Sequence, residues 1–285
     1  LTDAEPVQAE PVRRTSEIEE LSNLYLIHPI SAFLTPRFAA LGIKPNAVSL
    51  AGMAFGIAAG FCYFHVGHRA FAVAGFLLMI AWHVMDGADG QLARLTGTQS
   101  ELGKILDGIC DYVTFIAVYT GLGIALAMQH GVWVVALVAL SGLCHAVQSA
   151  AYEAQRQAYN AWGMGRMSAR VPAAGAVSAR GATGILYGLY TRMQRLVAGV
   201  PAGFDEKLAA AHEAQPEILQ AKYRRVFAAS VRRWSVMSSN YRTLGIFICA
   251  VLNVPLFYFW LEIIGLSPAL ILLLAAQRQR ATSFL

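Results

Sequence analysis

Apolar residues in this chain gather into runs of about 20, the length at which a helix crosses the hydrocarbon core of a bilayer. The first run follows Pro45-Asn46 and covers 47–66, with Gly52, Gly56 and Gly60 recurring every four residues on one face. Such a stripe of small residues predicts close approach of a neighbouring helix. A turn at Gly67-His68-Arg69 leads to a second run at 70–85, and the polar segment 86–104 separates it from a third at 105–128. Gln129-His130-Gly131 is the next tight turn, and a fourth run covers 132–152. The stretch 153–239 is too polar to span. A fifth run occupies 241–264, broken or kinked near Pro255, and the last, 266–276, is short for a crossing. It is read as a sixth span because an even number returns the basic tail, Arg278 and Arg280, to the N-terminal side.

Ahead of these runs, residues 1–15 are rich in Glu, Pro and Ala without an apolar period and read as a disordered arm. Residues 16–44 mix charges with Leu, Ile, Tyr and Phe, and Pro29 and Pro36 break them into short pieces suited to the membrane interface. Ser16 with Glu19 is a capping-box pattern for the first piece. The N-terminus is acidic and polar, so no cleavable signal peptide is read. The opening Leu1 leaves room for a short missing leader.

Composition agrees with membrane residence. The chain is 56% hydrophobic and 14% charged over 285 residues, where a soluble domain carries roughly a quarter charged. Mean hydropathy is +0.49. The net charge of +5 is no nucleic-acid signal here, because basic residues are expected in cytoplasmic loops. With a cytoplasmic N-terminus, Arg69 is the only Lys or Arg assigned outside, which places 86–104 in the cytoplasm. The cysteines Cys62, Cys110, Cys144 and Cys249 are scattered through apolar stretches and read as packing residues. The expected fold is all-α integral membrane, with about six transmembrane helices and an N-terminal interfacial amphipathic segment. A membrane core occupies 45–152, a basic, membrane-apposed cytoplasmic insertion 153–239, and final spans with a basic tail 240–285. Within the insertion, 183–200 is amphipathic with Arg192 and Arg195, and 205–237 looks helical.

The chemistry lies in Asp86, Asp89, Asp107 and Asp111. An ionised carboxylate in or near a bilayer costs at least a few kcal/mol unless paired. Four together repel, and Arg94 and Lys104 are too few to neutralise them. Divalent ions with a preference for oxygen ligands, magnesium, manganese or calcium, resolve this. Asp86 and Asp89 share a helix face, as do Asp107 and Asp111. Gly90 and Ala93 keep bulk away so that phosphate can approach, and Arg94 offers a planar donor fork to its oxygens. The pattern is similar to a two-metal clamp for phosphoryl transfer.

DGADGQLAR at 86–94, then Gly103, Asp107 and Asp111, reproduces the pattern D-x2-D-G-x2-A-R-x8-G-x3-D-x3-D. The chain thus resembles the CDP-alcohol phosphotransferases, also called CDP-alcohol phosphatidyltransferases, over about 23–152, with Ile43-Lys44-Pro45-Asn46 similar to the start of that family's first span. The resemblance implies that Asp86, Asp89, Asp107 and Asp111 hold two divalent ions, Mg2+ or Mn2+. It implies that Asp111 is also the general base for the acceptor hydroxyl, that Asp86, Gly90, Ala93 and Arg94 bind the CDP group, and that Gly103 serves close helix approach. It further implies a homodimer whose site faces the cytoplasm, in the cell inner membrane if bacterial, and a phospholipid-synthesis transferase that releases CMP. CDP-diacylglycerol with a small polar alcohol is the leading substrate pair by analogy; a CDP-linked choline- or ethanolamine-type donor with a lipid hydroxyl is the alternative. No nucleic-acid partner is expected.

Other residues carry competing readings. His83, one turn before Asp86, could orient it or simply pack; packing is favoured. His145, mid-span, suits function or structural hydrogen bonding equally. Glu153 and Arg156 pair or face the acceptor. Trp82, Trp133 and Trp260 read as interface anchors. A divalent-cation carrier is the remaining function of a different class, since intramembrane carboxylates also mark ion pathways; an arginine beside the acids has no evident use there.

Overall fold

The computed structural model describes residues 15–169, 188, 192–194 and 196–284. The arm expected at 1–15 lies outside these apart from Thr15, and so does half of the amphipathic stretch 183–200, including Arg195. The described residues form helices and turns, with no strand among them. A π-helical turn, Asn23–Ile27, runs into α1, His28–Ala40. Then follow α2, Pro45–Phe64; α3, Arg69–Thr96; α4, Glu101–His130; and α5, Trp133–Gly163, whose last turn is π-helical. After them come α6, Phe204–Ala214; α7, Pro216–Trp234; α8, Ser239–Val251; and α9, Pro255–Phe284. Among the described residues α2, α3, α4, α5 and α9 are long and apolar enough to cross a bilayer, and the chain is an all-α integral membrane protein.

Several boundaries differ from expectation, each for a physical reason. The polar segment at 86–104 is mostly helix, because Asp89 and Gln91 turn inward and α3 continues to Thr96. It stops at Gly97, which takes the left-handed φ of 65° that glycine adopts without strain. Ser100 then caps α4, its Oγ accepting from Gly103 N at 3.0 Å. Of the break or kink expected near Pro255, the structure shows a break: one helix ends at Val251 and Pro255 starts the next. Val254 is held out of helical geometry at φ −127° and ψ 44°, as the residue before a proline tends to be. The turn also uses Asn253 at φ 60°. The apolar runs at 241–264 and 266–276 are therefore redivided into the short α8 and the long α9.

The N-terminal prediction is corrected likewise. Ser16 and Glu19 lie ahead of the first helical turn, which begins at Leu21, and Glu19 accepts from Asn23 Nδ2 at 3.0 Å. Pro29 and Pro36 do not break the segment. Pro29 directly follows the π-helical turn 23–27, and the helix runs on through it. Pro36 is mid-helix, and neighbouring carbonyls gain side-chain donors: Thr35 Oγ1 to Ser31 O at 2.8 Å, and Arg37 Nη1 to Phe33 O.

Packing centres on α2, which lies against both α3 and α4. A methyl group at Gly52 would sit 3.0 Å from Met85 Cβ, and one at Gly60 would sit 2.5 Å from Ala117 O. The small-residue stripe therefore sets how near these backbones come. The main core joins Tyr63, Met79, Trp82, Phe115, Tyr119 and Leu122 to Ile246 and Phe259. A second core packs Trp162 of α5, with Phe204, Tyr223 and Phe227, against Phe284 of α9. Helix α7 runs alongside the end of α9: Trp234 clusters with Leu270, Ser230 Oγ reaches Gln277 Oε1 at 3.4 Å, and Phe227 meets Phe284 at 5.4 Å. The region 205–237, read as helical, is thus α6, α7 and a short 3-10 turn.

Candidate active site

The Gly97 turn folds α4 back toward α3, so the paired aspartates of the two helices meet beside the small face of α2. One carboxylate oxygen from each of Asp86, Asp89 and Asp107 lies within 4.8 Å of the others. Asp111, one turn further along α4, lines the same pocket with Ser49, Gly52, Trp82 and Cys110. All four predicted acids therefore share one pocket.

Three ionised carboxylates at such separations repel strongly in a half-buried setting. The donor set is oxygen only, drawn from two helices, and suits hard divalent cations such as Mg2+ or Mn2+. The residues present fit such ions. Arg94 lies on α3 one turn past Gly90, where a Cβ would come 3.4 Å from its Nη1, an ordinary contact. None of Gly90, Ala93 and Arg94 is among the residues that line the pocket. A Cβ at Gly103 would meet Ser100 Oγ at 3.1 Å and Asn46 Oδ1 at 3.6 Å. The tight contact is with the oxygen that caps α4, while the Asn46 side chain of α2 lies at ordinary contact distance.

Ser49 was not singled out from the sequence. Ser49 is 7% exposed, and its hydroxyl donates to Asp89 Oδ2. The available signal was its place in the stripe that continues through Gly52, Gly56 and Gly60.

Other predicted residues fall elsewhere. His83 Nε2 contacts Thr243 Oγ1 of α8 at 3.0 Å, tying α3 to α8. Tyr119 Oη and His145 Nδ1 are 3.0 Å apart within a buried polar cluster. Arg156 Nη1 donates to Glu153 Oε2 at 2.9 Å, and its Nη2 lies 3.8 Å from Glu19. Trp82 is no interface anchor: it is 3% exposed and packs edge-on against Phe115 beneath the aspartates. Trp133 and Trp260 remain exposed at 49% and 41%.

Residues 43–199, more than half of the chain, match the CDP-alcohol phosphatidyltransferase family. The chain belongs to that family. The CDP-alcohol phosphatidyltransferase match takes in α2 to α5, hence every residue that lines the pocket. A phosphatidylinositol phosphate synthase of Mycobacteroides abscessus is 32% identical over 81 residues, which is 28% of this chain and 36% of that relative. The aligned stretch thus spans about a third of the relative's length. No solved structure gives a significant match.

Proposed function

We propose that the chain is a phospholipid-synthesis transferase that moves a phosphatidyl, or other phosphoalcohol, group from a CDP-activated donor to a hydroxyl acceptor. The observation that carries this reading is the convergence of Asp86, Asp89 and Asp107 to within 4.8 Å in a pocket that Asp111 also lines. Asp86, Asp89 and Asp107 hold divalent ions, with Asp111 completing the set. Bound there, the ions supply charge stabilisation to the donor's pyrophosphate. Arg94 donates to phosphate oxygens, and Gly90 and Ala93 leave space for the nucleotide's diphosphate beside α3. Asp111 takes the acceptor hydroxyl's proton as its oxygen bonds to the donor phosphorus. The bond from that phosphorus to the CMP phosphate oxygen breaks, and CMP leaves with the electron pair.

A relative named as a phosphatidylinositol phosphate synthase supports CDP-diacylglycerol as donor and a small polar alcohol as acceptor. The positive-inside distribution supports a site open to the cytoplasm.

The test is CMP release from CDP-diacylglycerol by purified protein, with and without Mg2+ or Mn2+, across a panel of alcohols. Release should require the metal and at least one acceptor, and Asp111→Asn should lower it about 10²-fold or more. Unchanged release in Asp111→Asn, or release indifferent to chelator, would sink the reading.

A further inference from the structure

We infer that Ser49 is a positioning residue for the metal site, donating to Asp89 so that the carboxylate's other oxygen is presented to a divalent ion. The inference rests on the function proposed above and adds a residue from a third helix to it.

Ser49 lies on α2, one turn past Pro45, while the acids come from α3 and α4. Its Oγ has two acceptors in reach, Asp89 Oδ2 and Pro45 O, the latter at 3.3 Å. A serine hydroxyl carries one proton. The carboxylate takes it, since hydrogen bonds to ionised oxygen are stronger than those to a neutral carbonyl. Asp89 is 5% exposed, and water has little room to replace this donor.

The helix geometry explains why a short side chain is needed. Gly52, the next residue on the same face, lets α2 close on α3 until a methyl there would lie 3.0 Å from Met85 Cβ. At that separation a serine spans the gap to Asp89. Alanine would remove this donor from the buried carboxylate oxygen, while threonine keeps the hydroxyl and adds one methyl. Ser49 and Gly52 also line the pocket, so α2 forms its third wall. A carboxylate with one oxygen fixed by a donor has fewer orientations to lose when its other oxygen meets a cation, the role that outer hydrogen bonds play at metal sites. Losing such a partner typically lowers metal affinity by about 10–100-fold.

The experiment measures Mn2+ binding by electron paramagnetic resonance on the purified full chain in detergent, without nucleotide, for the native protein, Ser49→Ala, Ser49→Thr and Asp89→Asn. Ser49→Ala should weaken Mn2+ affinity about tenfold or more, with Ser49→Thr within about threefold of native. Helical circular dichroism should be unchanged in both. Native-like Mn2+ affinity in Ser49→Ala, with Asp89→Asn impaired, overturns the role of Ser49 and leaves the proposed function standing. Equal loss in Ser49→Ala and Ser49→Thr also overturns it, because packing volume would then be what matters. Absence of Mn2+ binding by the native protein overturns the proposed metal site itself.

Discussion

Arg242 Nε donates to Glu262 Oε1 at 2.9 Å, and neither side chain is more than 1% exposed. Tyr119 and Tyr258 donate to the other carboxylate oxygen at 2.8 and 2.6 Å, while Arg242 Nη2 donates to Gln148 Oε1 at 2.6 Å. This pair joins α8 to α9, and its partners add α4 and α5. Removing one partner of such a pair strands a buried charge and costs about 3–5 kcal/mol. Arg242→Met should destabilise the protein by that order in a detergent unfolding assay. Adding Glu262→Gln should give a double variant less impaired than the sum of the two singles, by at least about 1 kcal/mol. Strict additivity would show that the two residues are not energetically coupled.

Helix approach at the site depends on α2 lacking side chains on one face. A methyl at Gly60 would lie 2.5 Å from the backbone carbonyl oxygen of Ala117, an atom fixed in its own helix. Gly60→Ala should therefore cost about 1–3 kcal/mol, the range for overpacking. Gly108 on α4 meets nothing within 4 Å, so Gly108→Ala should leave stability unchanged or raise it by up to about 1 kcal/mol. Equal effects at both positions, measured by thermal unfolding, would refute the stripe as the determinant of spacing.

The acids were legible in the sequence because their geometry is local. Asp86 and Asp89, then Asp107 and Asp111, sit on consecutive helices joined by one turn, and helical spacing alone puts each pair on one face. Ser49 was not legible, since its contact with Asp89 crosses 40 positions and depends on how near Gly52 lets two helices come. Arg242 and Glu262 escaped notice for a related reason: an isolated charge in an apolar run announces no partner, and Tyr119 lies 143 residues from Glu262. Span limits were blurred where polar side chains face protein rather than water, as at Asp89 and Gln91, because hydropathy records polarity without direction. Trp82 shows the converse. An aromatic residue near the end of an apolar run is an anchor only if it faces lipid, and this one faces the core.

His83 separates an orienting role from a structural one. Its Nε2 contacts Thr243 Oγ1 at 3.0 Å, and the ring packs on Trp82 at 4.3 Å between centroids. His83→Ala should lower stability by about 1–3 kcal/mol, the cost of leaving a buried polar partner unsatisfied. The Mg2+ concentration giving half-maximal CMP release should stay within about twofold of native. A tenfold rise in that concentration would instead assign His83 to the metal site.

Glu20 supplies a pH-dependent test outside the spans. It is 6% exposed, and Tyr152 Oη donates to its Oε1 at 3.1 Å. Burial pushes its pKa above the ordinary value, outweighing the lowering pull of Ser238, Arg156, Tyr152 and Asn240. The folded protein thus favours the protonated form, whereas the unfolded chain ionises near about pH 4.3. The sign follows from linkage: the stabilisation tied to this proton is complete below the unfolded value and is lost as pH rises through the higher folded one. Glu20→Gln, which cannot ionise, should lack this loss, so its melting temperature should fall less than that of the native protein across that rise. Parallel melting curves for the two proteins, recorded at matched pH from the carboxylate range to neutrality, would show that Glu20 is ionised in the fold and that burial does not control its proton.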